Sequence, residues 1–395
     1  MKVYLRLMTP SPSDLLKGLR QRLPEFENVL RTWCDTNSGS GNTEGLARML
    51  DLLETRISAI PGMVCTRIRL EATSAQALSC VLRPEAPRRL LCIGHYDTVY
   101  PAAHPFQSCT TLPDGRLGGP GTADMKGGIV VALATIEAYA QIQGPSPLGL
   151  ELLLTPDEET GSIHSQHVIR EAAKRCVAGL VFEPARANGD LVRSRMGTGV
   201  LKVTSTGRSA HAAQPTPRGR NAIVALCEFL TSVHSLPLEI PGCLVNVATI
   251  QGGNLVNVVP DQAEALINVR VASDVARLRL LSRLEELAAP IRSREGHVLT
   301  IEGGFDRPPK ECTPAEEQMF ADYISASLSL GLQPPAWQDV GGGSDGNLLS
   351  AAGLPNLDGL GILGENLHSD QECCTPSSIP ERAATAALLM RAMEK

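Results

Sequence analysis

The sequence predicts an α/β protein: a larger, mostly parallel-sheet domain interrupted by an inserted, ferredoxin-like βαββαβ unit. Short continuous apolar runs (Leu90-Leu91-Cys92-Ile93, Leu150 to Leu154, Gly179 to Phe182) are separated by helical patterns, as strands buried on both faces of a parallel sheet require. The middle of the chain reads strand, helix, strand, strand, helix, strand, the order of a small split-βαβ unit. At 395 residues the chain is long enough to bury two cores. The expected division is 1–198 and 311–395 for the larger domain and 199–310 for the insert.

Each element follows from local pattern. Pro12 to Leu30 reads as one helix, and Asn42-Thr43-Glu44 opens a second through about Ile60. The Leu90 to Ile93 strand is followed by a helix from Gly127 to Ile142, then the strands at Leu150 and Gly179. In the insert, Val200 to Thr206 is a strand and Gly219 to Val233 a helix with Ala222, Leu226, Phe229, Leu230 and Val233 on one face. Strands at Cys243 to Ile250 and Ala263 to Val271 come next. A helix from Asp274 to Ala289 places Leu278, Leu281 and Leu284 at helical spacing, with Asp274 as N-cap. His297 to Glu302 is the closing strand.

Composition narrows the function. Lys and Arg number 36 against 42 Asp and Glu, a net charge of −6, and aromatic residues make up 3%. Neither the basic field nor the stacking platforms of a nucleic-acid binder are there, and an anionic membrane is an equally poor partner. The apolar stretch Gly128 to Ala140 is too short to span a bilayer and carries Glu137. The 11 cysteines are an odd, unpatterned set, including neighbours Cys373 and Cys374, and the N-terminus has no apolar signal core. A cytoplasmic protein is expected.

Chemistry is concentrated where the buried strands end. His95-Tyr96-Asp97 puts His95 and Asp97 on one face of an extended backbone, as in an imidazole oriented by a carboxylate. Gly118-Gly119-Pro120-Gly121-Thr122-Ala123-Asp124 bends tightly ahead of a helix and presents Asp124; it has neither phosphate-loop spacing. Asp157-Glu158-Glu159 follows an apolar strand directly, costly unless something positive sits there. Glu158 and Glu159 project differently, so one can ligate and the other stay free as a base. Glu183 ends a further strand, and His368 lies in Asn366-Leu367-His368-Ser369-Asp370. Two histidines and several carboxylates at strand ends, without thiolate, fit a pair of divalent ions, zinc first, with cobalt or manganese as alternatives.

From His95 to His368 these five motifs resemble the metallopeptidase family of glutamate carboxypeptidase, acetylornithine deacetylase, succinyl-diaminopimelate desuccinylase and aminoacylase. The resemblance implies that Asp124 bridges two metals, with His95 and Glu183 on one and Glu159 and His368 on the other. It makes Glu158 the general base, Asp97 the orienting partner of His95, and Asp124-Met125 a cis peptide. It makes the insert a lid and dimerisation domain, with His211 of Ser209-Ala210-His211-Ala212 polarising the scissile carbonyl. Asn257, Arg270 and Gly343 would hold substrate. Arg307 suits an acidic side chain, and Gly343 of Gly341-Gly342-Gly343-Ser344-Asp345 matches the glutamate carboxypeptidase branch. The implied activity is metal-assisted hydrolysis of an N-acyl or peptidyl amino acid, releasing a glutamate-like residue from a homodimer. A dipeptidase or N-acyl-amino-acid deacylase is the alternative, and a non-catalytic metal- or peptide-binding protein of the same fold the second. His164 and His167 read as helix-surface residues, Cys373 and Cys374 as structural, and Arg193 and Arg195 as a solvated strand face. Ser209 lacks the nucleophile elbow of a serine hydrolase.

Overall fold

The computed structural model describes residues 11–142, 146–213 and 218–394. The chain divides into two compact units. One is drawn from Met1–Arg193, Cys312–Asp339 and Ser344–Lys395, the other from Ser194–Glu311 and Val340–Gly343.

The first unit is built on a six-stranded sheet in the order Met63–Arg69, Gln76–Leu82, Leu148–Thr155, Arg88–His95, Ala178–Val181, Asn356–Leu357. Arg88–His95 runs parallel to both its neighbours, and Asn356–Leu357 runs parallel to Ala178–Val181. The Gln76–Leu82 strand joins antiparallel, as does Met63–Arg69 beyond it. Alternation along the central strand feeds two cores. Leu90 and Cys92 join one with Ile129, Leu133 and Ala387, while Leu91 and Ile93 join another with Leu153, Ile169 and Leu348. Helices Lys126–Gln141 and Ile379–Ala392 cover the first face; Gln166–Lys174 and Asp345–Ala351 cover the second. That double burial is why the strands read as unbroken apolar runs. Glu151 is the exception inside a strand, fully buried but gripped by Arg175 at 2.6 and 2.9 Å and by Ser79 at 2.9 Å.

Parallel register also places the chemistry. His95 lies opposite Thr155, and Ile93 opposite Val181, so three strands finish at one edge. The loops carrying Asp97, Glu158, Glu159 and Glu183 therefore leave the sheet together.

One expectation needs correction here. The N-terminal helix is two, Pro12–Gln21 and Leu23–Cys34, meeting at Arg22. Pro24 lies in the first turn of the second helix, where its missing N–H costs nothing; inside one long helix it would break the ladder. The strands Met63–Arg69 and Gln76–Leu82 carried no expectation. The first of them is an edge strand of mixed polarity and burial, so it lacks an apolar run.

The second unit has a four-stranded antiparallel sheet in the order Cys243–Gly252, Gln262–Val271, Gly197–Thr206, Val298–Arg307. Helices Ala222–His234 and Asp274–Arg292 close its core through Leu226, Phe229, Val233, Leu280 and Leu284 against Leu201, Val203, Ile267 and Val269. The buried face of the second helix is Ala276, Leu280, Leu284 and Ala288, four residues apart, and Leu278 is exposed. Its N-cap is Ser273, whose side chain accepts from Ala276 N; Asp274 sits one place later in the first turn. The unit starts at Ser194 rather than 199 because Arg195 and Lys310 exchange both backbone hydrogen bonds at 3.0 Å. Residues 222–239 are long and apolar enough to pass as a membrane span, mean hydropathy 1.3, yet they hold much of this core and break at Ser235 before Pro237.

Candidate metal centre

His95 ends its strand fully buried, with Nε2 3.2 Å from Asp124 Oδ1 and 3.7 Å from Glu183 Oε1. Its Nδ1 faces Asp97, 3.2 Å from Oδ1 and 3.1 Å from the carbonyl. Asp97 does more than orient the ring. Its Oδ1 accepts the N–H of Glu158 at 3.1 Å, and its Oδ2 accepts from Glu159 N at 3.2 Å and Ser40 Oγ at 2.7 Å. One carboxylate thus registers the histidine strand against the acidic turn. Asp157 faces the other way, its Oδ2 accepting from His164 N and Ser165 N.

Asp124 stands between two imidazoles. Oδ1 meets His95, and Oδ2 lies 3.2 Å from His368 Nε2, which is also 3.1 Å from Glu159 Oε2. The glycines around it serve close approach. Gly121 has φ of 74°, and a Cβ on Gly128 would lie 1.9 Å from the Phe182 carbonyl. That contact brings the helix after Asp124 against the end of the Glu183 strand. The Asp124–Met125 peptide is cis.

Glu372 carried no expectation, yet it holds this loop. Its Oε1 accepts the N–H of Ala123 at 2.9 Å and of Asp124 at 3.0 Å; its Oε2 accepts from Gly121 N at 3.3 Å and Tyr100 Oη at 2.9 Å. Nothing in the sequence marks it, because a carboxylate between Gln371 and Cys373 fits no ligand spacing.

The electrostatics ask for cations. Asp97, Asp124, Glu158, Glu159, Glu183 and Glu372 are all buried around two histidines. Two like charges 4 Å apart cost about 4 kcal/mol at an effective dielectric of about 20, so six carboxylates cannot all stay ionised without positive charge. Without metal, protons fill the gap. Burial opposes charge on His95, but Asp124 and Asp97, aided by Glu158 and Glu183, outweigh it and hold the imidazolium well above its ordinary range. Asp124 and Glu159 push His368 up to about 11. Burial and then the Asp124 charge raise Glu159 to about 8 and Glu372 to about 7. Asp124, buried as it is, is held below the usual carboxylate range by His368 and His95.

The donor atoms of His95, Glu158 and Glu183 lie within 4.8 Å of one another, as do those of His95, Asp124 and Glu159. A nitrogen and oxygen set of this kind fits divalent metal. His164 precedes the Gln166–Lys174 helix, His167 lies exposed on it, and neither joins these groups. Cys373 and Cys374 are buried in a short strand.

In the second unit, His211 and Asn257 belong to two loops tied together. His211 bridges Val258, and Ala212 N donates to Asn257 O at 2.9 Å. His211 is exposed, its Nδ1 accepting from Ala213 N. Arg270 Nη1 donates to Gly341 O at 2.6 Å, and Arg195 Nη1 to Gly342 O at 3.3 Å, so the glycine segment ending at Gly343 belongs to this unit. Arg195 is buried rather than on a solvated strand face, because that carbonyl and the Lys310 pairing draw it in. Arg307 is buried at the end of its strand.

Buried His95, exposed His368 and the carboxylates around them form a candidate metal centre at one edge of an α/β sheet. The chain belongs to peptidase family M20/M25/M40, whose sequence profile matches residues 91–392. It is 26% identical over 383 residues to carboxypeptidase G2 of Pseudomonas sp. (strain RS-16), covering 95% of this chain and 91% of that one. A succinyl-diaminopimelate desuccinylase of Rhodospirillum centenum is 32% identical over 286 residues, 69% of this chain and 71% of that one. Among solved structures, aminopeptidase PepT from Bacillus cereus superposes with a TM-score of 0.76 at 18% identity, covering 95% of this chain and 99% of that one.

Proposed function

We propose that this chain is a two-metal amidohydrolase that releases the C-terminal amino acid of N-acyl or peptidyl substrates, with glutamate-like residues preferred. One observation carries the reading: Asp124 divides its two oxygens between His95 and His368, each beside a further carboxylate, Glu183 and Glu159 respectively. Two divalent ions held by these five residues, zinc by the donor set, would supply Lewis acidity to the scissile carbonyl. Glu158, whose Oε2 is 3.9 Å from His95 Nε2 in the same cluster as Glu183, is assigned the general-base work. It takes the proton of the attacking water and delivers it to the leaving nitrogen. Asp97 keeps His95 and the Glu158 backbone in register.

The second unit is assigned lid and dimerisation roles. His211 would donate to the developing oxyanion and Asn257 would hold substrate. Arg270 has spent one of its five N–H donors on Gly341, leaving enough for a carboxylate. Arg307 and Gly343 are assigned to the leaving residue. The Cys243–Gly252 strand lies at the end of its sheet with Leu244 and Ile250 exposed, which supports pairing with a second copy. Similarity to carboxypeptidase G2 over nearly the whole chain supports the carboxypeptidase reading over desuccinylation.

The test is amine release from N-acyl amino acids by zinc-loaded protein. Faster release of glutamate than of leucine is expected. Equal rates would remove the glutamate preference, and no release from any substrate would remove the hydrolase.

A further inference from the structure

Cys65 and Cys80 face each other across the first hairpin of the six-stranded sheet. They are register partners in the antiparallel pair of Met63–Arg69 and Gln76–Leu82, and their sulfurs are in contact at 2.8 Å. Both are free thiols. We propose that the pair is a thiol–disulfide exchange site, which takes a low-molecular-weight disulfide as oxidant and closes into a reversible cross-strand bond that staples the edge strand to the sheet. The inference is independent of the hydrolase reading, because neither cysteine belongs to the metal-ligand groups.

The backbone already suits the bond. Residues directly opposite in an antiparallel pair have Cα atoms about 4.5 or about 5.5 Å apart, and a disulfide spans about 4.4–6.8 Å. Cys80 is fully buried in the core with Leu50 and Leu53, and Cys65 packs at the rim of that core, so both side chains lie on one face. Cys373 and Cys374, neighbours on one strand, point to opposite faces and lack this geometry. The staple also falls where a covalent hold has most to do. Met63–Arg69 is the last strand of its sheet, and residues 70–75 alone connect it to Gln76–Leu82.

Exposure sets the order of steps. Cys65 is partly exposed and Cys80 is not, so a small disulfide RSSR meets Cys65 first. The Cys65 thiolate attacks one sulfur, forming a mixed disulfide and releasing RS⁻. The Cys80 thiolate then attacks Cys65 Sγ, breaking the bond to R and releasing a second RS⁻. The two cysteine protons end on the two leaving thiolates; the protein gives up two electrons and RSSR becomes two RSH. Burial raises both thiols, opposed at Cys65 by its contact with Cys80 and reinforced at Cys80 by Cys65. Exchange should therefore quicken as pH rises from 7 to 9.

The experiment treats the zinc-loaded full chain with oxidised glutathione at about pH 8 and maps its tryptic peptides without reduction. Peptides 57–67 and 70–88, which carry Cys65 and Cys80, should be joined and should separate again with dithiothreitol. The oxidised protein should melt about 4 °C or more above the reduced form, and the amides of Met63–Arg69 should exchange more slowly. Cys65→Ser, at a partly exposed position, should abolish both the link and the Tm shift and leave Cys80 a free thiol. In Cys80→Ser, Cys65 should stop at the mixed disulfide with glutathione. No link between these peptides, or a link that leaves Tm unmoved, would overturn the staple. A shift that persists in Cys65→Ser would assign it to other cysteines and overturn it as well.

Discussion

The backbone N–H of Asp124 donates to Oε1 of Glu372 at 3.0 Å. The carboxylate that stands between two histidines is thereby held through its own main chain. Glu372 also takes the N–H groups of Ala123 and Gly121 and the Tyr100 hydroxyl, so four donors depend on two oxygens. In Glu372→Gln one of those oxygens becomes an amide nitrogen that cannot accept. Zinc affinity, read by competition with a chromophoric chelator, should fall about 10- to 100-fold, as for outer partners of metal ligands generally. Unchanged affinity would show that the Asp124 loop holds itself.

Glu158 and Glu159 are neighbours with different prospects. Glu159 meets His368 at 3.1 Å, whereas Glu158 lies 3.9 Å from His95 Nε2. Glu158→Gln should keep both metal ions, measured by elemental analysis of dialysed protein, while turnover drops by about 10²- to 10⁴-fold. Loss of metal together with activity would make Glu158 a ligand instead.

Metal uptake should be linked to pH. In the metal-free chain His368 is raised to about 11 and Glu159 to about 8, so both hold protons at pH 7 and must lose them to ligate. Affinity should therefore rise with pH between 7 and 9, where Glu159 gives up its proton. Zinc titrations at pH 7 in buffers of different ionisation enthalpy should report net proton release. Heats that do not vary with buffer would contradict the assignment.

His211 lies in the second unit, so its role separates from metal binding. His211→Ala should lower kcat by about 10²- to 10³-fold, in line with loss of an oxyanion donor, with zinc stoichiometry unchanged. A change confined to KM would point to substrate holding.

Part of the candidate site was legible because the sequence places His95 and Glu183 directly after apolar strands. His95 follows Leu90 to Gly94, and Glu183 follows Gly179 to Phe182, so strand period and motif reinforce each other. What escaped notice depends on partners remote in sequence. Glu372 acquires its role from N–H groups about 250 residues earlier, at Gly121, Ala123 and Asp124. Arg195 looks solvated by alternation along its strand, yet it is buried, its backbone paired with Lys310 and its Nη1 donating to Gly342 O. The Asp274 helix was misphased by its leucines: Leu278 satisfies helical spacing with Leu281, but the sheet selects the row through Leu280 and Leu284. The break at Arg22 was signalled by Pro24, which the apolar period on either side obscured.

The most direct test of the two-metal account is anomalous diffraction at the zinc edge from crystals of the zinc-loaded protein. The account predicts two peaks about 3.5–4 Å apart, both in contact with Asp124, one beside His95 and Glu183 and the other beside Glu159 and His368. A single peak, or peaks that do not share Asp124, would contradict it.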